Sequence, residues 1–289
     1  MQISKTSILK PRKNIHIDCL LAPLFLQEII SLVKRLIIQT IRRPSNVISG
    51  IIQPLLWLIL FGALFQNAPV GLFTLEIKYG QFLSSGIIIF TSFTGSLNAG
   101  LPLIFDREFG FLNRILVSPI ISKDTLLLSL SFFITAITML QTFTIVACSL
   151  HIFKYSFSIN RFYLLIIVTL LITSSISSIS IGLAFIIPGH IEFLALMLLI
   201  NLPMLFSSTA LAPLSFMPYW LQIVASLNPL TYAIESIRFI SIAQKWDYTS
   251  TIIKTLWIDL TLIQILLLLL ILTIISFTII QTIISDKLE

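Results

Sequence analysis

Long apolar runs separated by short polar segments make up most of the chain. Six runs reach the roughly 20 residues that a helix needs to cross a hydrocarbon core about 30 Å thick. These runs are residues 47–65, 82–103, 126–150, 162–187, 193–212 and 258–280. In lipid, a run without strand-like alternation satisfies its backbone hydrogen bonds only as a helix. The pattern therefore predicts an all-α polytopic membrane protein with six transmembrane helices.

An amphipathic helix is predicted before the first span, over residues 24–43. Its polar residues recur every three or four positions, and they are Glu28, Ser31, Arg35, Gln39 and Arg42. Leucine, isoleucine and valine occupy the opposite side, and Pro44 ends the helix. Such a helix lies in the membrane interface. We therefore divide the chain into a basic segment with an interfacial helix, residues 1–46, and a transmembrane domain, residues 47–289.

The region between the fifth and sixth spans is apolar but rich in proline. No Asp, Glu, Lys or Arg occurs between Glu192 and Glu235. Asn228 followed by Pro229 has the residue types of a helix N-cap and first helical position. Pro218 similarly opens a shorter helix. We predict two short re-entrant helices in the far leaflet, where protein must cover their backbone.

Charge and composition set the class and the orientation. Because 57% of the 289 residues are hydrophobic, a soluble globular domain is excluded. The net charge of +6 does not indicate a nucleic-acid partner, since the basic residues follow membrane topology. With both termini on one side, 12 of the 18 Lys and Arg residues lie there. The positive-inside rule makes this side, which we call the inner side, cytosol-like.

Residues 173–180 of the fourth span include six serine or threonine residues. Small hydroxyl side chains let helices approach closely and can bond back to their own backbone. Close helix packing is therefore one interpretation, and the lining of a translocation path is the other. The three histidines are scattered without the spacing of metal ligands, so no metal site is predicted.

A dense charge cluster lies between the second and third spans. Its members are Asp106, Arg107, Glu108 and Arg114. We predict one short amphipathic helix over residues 106–116 that lies on the inner membrane surface and ends before Pro119. The helical period would place four residues on its apolar face, namely Phe105, Phe109, Leu112 and Leu116. The alternative is a charged loop that only keeps two membrane helices in register.

The order of residues in this cluster resembles the coupling helix of type-2 ABC exporter permeases. That family has a glutamate, a glycine two residues later and a proline about nine residues beyond, which Glu108, Gly110 and Pro119 match. Phe111 stands where many members have threonine. The resemblance implies a docking segment for a separate ATPase, formed by Asp106, Arg107, Glu108, Phe109, Gly110, Leu112, Arg114 and Pro119.

The resemblance also implies roles within this segment. Arg107 and Glu108 would hold the ATPase by polar contacts. Phe109 and Leu112 would fill an apolar groove of the ATPase or rest on lipid, and Gly110 would allow a close backbone approach.

A second stretch, residues 216–238, is also similar to type-2 ABC permeases. In that family the region closes the far side of the path. The resemblance implies an exit-side gate formed by Pro218, Asn228, Pro229, Tyr232, Glu235 and Arg238.

Taken together, the resemblance implies the membrane subunit of an ATP-driven exporter. The chain has no Gly-x-x-x-x-Gly-Lys-Ser/Thr loop to hold phosphates, so we expect it not to be an enzyme and to bind no cofactor. ATP and Mg²⁺ would bind to a separate ATPase subunit. Six spans are too few for a two-sided path, so a second copy or a related permease is expected. The low charge of the spans favours an amphipathic or lipid-linked cargo.

Two other classes of protein are less compatible with the residues. A secondary transporter driven by an ion gradient usually has charged residues in mid-membrane, and an intramembrane lipid-modifying enzyme needs clustered histidines or carboxylates. The excess of isoleucine over valine and alanine is typical of an AT-rich genome. The chain is similar to ABC permeases encoded in algal plastids, which implies a plastid (chloroplast) membrane, with a bacterial plasma membrane as the alternative.

Overall fold

The computed structural model describes residues 21–65, 79–117, 124–153, 159–242, 251–254 and 259–288. Eleven α-helices occur in these ranges. In chain order they are α1 Leu21–Arg42, α2 Ser45–Leu64, α3 Tyr79–Leu97, α4 Leu101–Glu108, α5 Phe111–Val117, α6 Asp124–Phe153, α7 Ile159–Ile186, α8 His190–Phe206, α9 Tyr219–Leu227, α10 Pro229–Ile242 and α11 Leu262–Leu288. Five helical stretches are long and apolar enough to cross a membrane. The prediction of a polytopic all-α membrane protein is therefore confirmed.

The predicted amphipathic helix is present as α1, which packs against α6. Its apolar side is the exposed one, with Leu26, Ile30, Ile37 and Ile41 facing outwards. Two residues of the polar side contact the protein: the Thr125 hydroxyl donates to the Glu28 carboxylate at 3.2 Å, and Arg35 forms an ion pair with Asp106, whereas Ser31, Gln39 and Arg42 are exposed. Leu36 is buried beside Arg35. In a membrane, this orientation leaves the apolar side of α1 available to lipid while Glu28 and Arg35 contact other helices.

The second span lies at the centre of the bundle. It consists of α3, a 3₁₀ turn at Asn98–Gly100 and α4, and α3 contacts α2, α6, α7 and α10. Where this span meets α7, the Ser180 hydroxyl donates to the Leu97 carbonyl at 2.5 Å, and the Gly100 N–H donates to that hydroxyl at 3.0 Å. Most hydroxyl residues of 173–180 are buried and bond back to their own helix. These contacts fit the interpretation of close packing, and the lining of a path stays a prediction.

The fifth predicted span differs from the structure at both ends. Residues 193–212 were expected, whereas α8 covers His190–Phe206 and has 17 residues. At 1.5 Å per residue it is about 25 Å long, which is shorter than a hydrocarbon core. The helix ends early because the following residues form turns, with Pro203 in its last turn and the Ser208 hydroxyl bonded to the Leu205 carbonyl at 2.7 Å. Six complete spans therefore stay a prediction.

Both predicted short helices between the fifth and sixth spans are present as α9 and α10. Asn228 is the N-cap of α10, since its side-chain oxygen accepts the Leu230 N–H at 3.0 Å while Pro229 occupies the first helical position. The helix start predicted at Asn228 and Pro229 is confirmed. Their depth in the far leaflet stays a prediction.

A two-stranded antiparallel sheet precedes the last helix and was not predicted. Strands β1 Thr251–Lys254 and β2 Asp259–Thr261 pair so that Lys254 lies opposite Asp259. Consecutive β-branched residues at 251–253 favour a strand. The last helix therefore begins at Leu262, four residues later than expected.

The contact between Gly100 and α7 yields a test of the packing. A Cβ atom at Gly100 would lie 2.5 Å from the Ser180 carbonyl oxygen, which cannot move without distorting α7. We expect Gly100→Ala to lower the free energy of unfolding by about 1–3 kcal/mol, a typical cost of overpacking. Gly62→Ala is the matched control, because its Cβ would lie 3.6 Å from the Phe153 ring, an ordinary contact. Thermal unfolding in detergent measures both, and equal melting temperatures would contradict the prediction.

Candidate functional site

The charged segment between α3 and α6 is bent, not a single helix. Helix α4 ends at Glu108, where the Phe109 N–H donates to the Phe105 carbonyl at 3.0 Å and the Gly110 N–H to the Arg107 carbonyl at 3.1 Å. Gly110 has a φ of +69°, the left-handed conformation that favours glycine and ends helices. The chain then restarts as α5. The predicted helix over residues 106–116, with one continuous apolar face, is therefore wrong.

Within this chain, Gly110 is needed for its left-handed backbone conformation and not for space around its Cα atom. A Cβ atom at this position would meet no atom of the described chain within 4 Å. The left-handed backbone alone penalises a substitution, by about 1–2 kcal/mol. A close approach by a partner protein stays a prediction.

The N-terminal helix α1 holds both sides of this bend through Arg35. The Arg35 guanidinium forms an ion pair with Asp106, which is buried. The same guanidinium lies 4.7 Å from the centroid of the Phe111 ring, in a cation–π contact. Asp106 precedes Gly110 and Phe111 follows it, so one arginine fixes the angle between α4 and α5. Arg35 was predicted only as part of the polar face of α1. Its place on that face is the one sequence feature that indicates a contact with a charged partner.

Arg107 binds the end of α7. Its guanidinium donates to the carbonyls of Ala184 at 3.0 Å and Pro188 at 2.7 Å, and also to those of Phe185 and Ile187. The last carbonyls of a helix have no partner within the helix and carry its negative dipole end. A guanidinium at this position donates hydrogen bonds to these carbonyls and places a positive charge at the negative end of the helix dipole. Arg107 therefore contacts this chain, and a polar contact with an ATPase would have to share the same guanidinium.

Glu108 binds the beginning of α8. One carboxylate oxygen accepts the backbone N–H of His190 at 2.7 Å, and the other lies 2.6 Å from the His190 Nδ1. The Phe105 ring lies 5.3 Å from the His190 ring, centroid to centroid. Gly189, the N-cap residue of α8, has no side chain to cap the helix. Glu108 supplies this acceptor from another helix, and His190 was not predicted as a site residue.

Four residues beyond Glu108 are exposed among the side chains that the structure describes, and we call them the docking tip. They are Phe109, Phe111, Arg114 and Val117. Phe109 is 81% exposed and Val117 is 87% exposed, although both are large apolar side chains. Leu112 is buried in the core of the bundle, so it cannot fill the groove of a partner or rest on lipid. Pro119 lies outside the described residues, and the coupling role of the predicted residues stays a prediction.

The predicted exit-side residues lie at the other end of the bundle, around α10. Arg238 is buried, forms an ion pair with Glu235 and donates to the Thr209 carbonyl at 2.7 Å. Its guanidinium carbon lies 3.6 Å from the centroid of the Phe82 ring. These contacts offset the cost of burying a charge. We call Phe82, Thr209, Glu235 and Arg238 the exit-side cluster, and it joins α3, α10 and the turn after α8.

The other predicted exit-side residues fix the short helices. The Asn228 amide nitrogen donates to the Met204 carbonyl at 2.9 Å and lies 3.1 Å from the Ser207 hydroxyl. The Tyr232 hydroxyl donates to the Ser226 carbonyl, and Pro218 directly precedes α9. The structure therefore brings Glu235 and Arg238 together and ties Asn228 to the end of α8. Whether these residues form a gate stays a prediction.

Comparison with known proteins supplies the family. The pattern that defines the "ABC-2 type transporter" family matches residues 27–242. Proteins named transport permease ycf38 are similar over nearly the whole chain. That of Porphyra purpurea is 53% identical over 264 residues, which is 91% of each chain.

Two further relatives carry the same name. The protein of Pyropia yezoensis is 50% identical over 281 residues, or 97% of each chain, and that of Cyanophora paradoxa is 48% identical over 91% of this chain and 90% of its own. These relatives come from algal plastid genomes. The resemblance inferred from the motifs is confirmed, and with it a multi-pass membrane protein that serves as a transport permease subunit. The chain belongs to the ABC-2 type transporter family.

Proposed function

We propose that this chain is the membrane-spanning subunit of an ATP-driven exporter in a plastid membrane, and that a separate ATPase subunit drives it through the docking tip. The observation that carries the proposal is the exposure of Phe109 and Val117 beside charged residues on the inner side. Large apolar side chains at a polar membrane surface mark a site for a protein partner. Aromatic and arginine side chains supply most of the binding energy in such interfaces.

The tip is also held firmly enough to transmit a push. Arg35 fixes the bend, Arg107 fixes α4 to α7, and Glu108 fixes α4 to α8. A displacement of the tip therefore moves α4 and the central α3 with it, since they form one span. Alternating access between inner and exit sides is the expected result. ATP and Mg²⁺ would bind to the partner, because the sequence lacks a phosphate-binding loop.

The docking tip is tested by Phe109→Ala. Loss of an exposed aromatic anchor removes about 2 kcal/mol or more from an interface, so we expect the affinity for the co-purifying ATPase subunit to fall at least about thirtyfold. Phe132→Ala is the matched control, because Phe132 is an equally large side chain that is 65% exposed and belongs to α6, not to the tip. Affinity is measured by pull-down titration of detergent-solubilised complexes. Equal losses in both variants would contradict the assignment.

The ion pair between Arg35 and Asp106 is tested by a charge reversal. We expect Arg35→Asp and Asp106→Arg each to lower both the unfolding temperature and the transport stimulated by the ATPase, because each leaves a like-charge pair beside the bend. The double variant should regain part of both, with an interaction energy of about 0.5–3 kcal/mol. Additive losses in the double variant would show that the two residues act separately.

We further propose that two permease chains form the path, either two copies of this chain or this chain with a related one. The span α2 has only two buried residues, Pro54 and Leu58, so most of its surface is available to a neighbour or to lipid. We expect light scattering of the purified permease, corrected for detergent, to give the mass of two chains. A monomeric mass in the presence of the ATPase would contradict the proposal.

The cargo that best fits the spans is amphipathic or lipid-linked. Among the described residues, the buried charged side chains are Asp106 and Arg238, and both are bound within the chain. A highly charged cargo would need free charges along its path. The alternative is a transporter driven by an ion gradient. Vesicles that hold permease and ATPase distinguish these two energy sources. Export that continues without ATP and stops when the ion gradient is removed would favour the alternative.

A further inference from the structure

We propose that the short helix α8 carries motion from the docking tip to the exit-side cluster, with Glu108 and His190 as the positioning residues that attach its inner end. This inference rests on the proposed function, because it names how the push of an ATPase would reach the far side. It assigns Glu108 a role inside this chain, in place of the direct contact with the ATPase implied by the family resemblance.

The inner end of α8 is attached through a match of charges and helix ends. Arg107 binds the carbonyl end of α7, and the next residue, Glu108, binds the N–H end of α8. A cation thus meets the negative end of one helix dipole and an anion meets the positive end of the next. The turn between the two helices, residues 187–189, is held from both sides by α4. Movement of α4 therefore moves the first turn of α8.

The outer end of α8 is attached to the exit-side elements. Asn228, at the junction of α9 and α10, binds the Met204 carbonyl and the Ser207 hydroxyl. Arg238 binds the Thr209 carbonyl just beyond the helix. The same turn packs closely on α3, since a Cβ atom at Gly86 would lie 2.5 Å from the Ala210 carbonyl oxygen. A shift of this end changes the contacts of Asn228 and Arg238 directly.

Between these attachments α8 is packed along one face and exposed along the other. Its exposed apolar residues are Ile191, Leu194, Leu198, Leu199, Leu202 and Phe206. Only Phe193, Met197 and Leu205 are buried. One polar contact joins its middle to α3, from the Thr94 hydroxyl to the Asn201 side chain at 3.3 Å. Leu196, Ile200 and Met204 also pack against the core. A helix that is bound at both ends and packed along one face can tilt as a rigid rod about 25 Å long if its packed side chains slide slightly.

These attachments give coupling a physical route. At the inner contact, both oxygens of the Glu108 carboxylate bind His190. A charged acceptor makes this contact stronger than a neutral hydrogen bond. Pushing the docking tip displaces Glu108, which pulls His190 and tilts α8. The far end then shifts against Asn228 and Arg238, so the free energy of the inner contact and that of the exit-side contacts are linked in both directions.

The first test needs no ATPase. Spin labels are placed at Phe206→Cys, on the outer end of α8, and at Ile152→Cys, on the outer end of α6, in a chain with Cys19 and Cys148 replaced by serine. We expect His190→Ala to broaden and shift the distance distribution in lipid nanodiscs, because it removes the side-chain part of the inner attachment. Ile191→Ala is the matched control, since Ile191 is 69% exposed in the same turn. An unchanged distribution in His190→Ala would overturn the inference.

The second test adds the ATPase subunit and ATP to the same labelled chains. We expect the unsubstituted chain to show an ATP-dependent change in distance, and His190→Ala to lose most of that change while it still binds the ATPase. Glu108→Gln should retain part of it, because the amide oxygen still accepts the His190 N–H. A full change in His190→Ala would overturn the inference. Failure of the ATPase to bind the unsubstituted chain would instead contradict the proposed function, and the first test would still decide the role of α8.

Discussion

The adjacent and opposite charges of Arg107 and Glu108 are matched to the opposite ends of two successive helices, and the inner side of the bundle depends on this match. Helix ends leave carbonyl and N–H groups without partners, and lipid provides none. Arg107 satisfies the end of α7 and Glu108 satisfies the beginning of α8. Because both residues come from the last turn of α4, one helix end organises two others. The segment that leaves the membrane at this point therefore starts from a fixed position.

The bend that follows is also fixed by only a few residues. Gly110 sets the backbone angle, and Arg35 binds Asp106 before the bend and Phe111 after it. The result is a short exposed surface supported by α1, α7 and α8 together. A loop of this length would otherwise bend under load and absorb a push. Its attachments make it a rigid part of the bundle.

The architecture could be predicted from the sequence because lipid imposes a simple rule on apolar runs. The start of α10 could also be predicted, because the N-cap residue Asn228 and the first helical residue Pro229 are adjacent in the sequence. Periodicity failed at Gly110, since the residue spacing on both sides fits one helix and only the positive φ separates them. The early end of α8 was missed for a related reason, because an uncharged stretch continues beyond the helix and carries no stop signal in its hydropathy.

The contacts of charged side chains could not be predicted, because their partners are distant along the chain. Asp106, Arg107 and Glu108 looked like a solvated cluster aimed at a partner, yet each binds a residue more than 70 positions away. Nothing in their spacing identifies Arg35 or His190. The sequence predicted that Phe109 would be available to a partner or to lipid, and Phe109 is exposed. Leu112 was expected on the same apolar face, but the bend at Gly110 turns it into the core.

The outward-facing apolar side of α1 has a consequence for work on the purified protein. This helix contacts Asp106 and Phe111 through Arg35 and turns Leu26, Ile30 and Ile41 towards the surrounding lipid or detergent. The depth at which it settles depends on headgroup size, surface charge and curvature, as for other interfacial helices. Replacing the native lipids with a detergent micelle therefore alters the position of the docking tip relative to the bundle, and transport rates should be compared only between preparations of the same lipid composition.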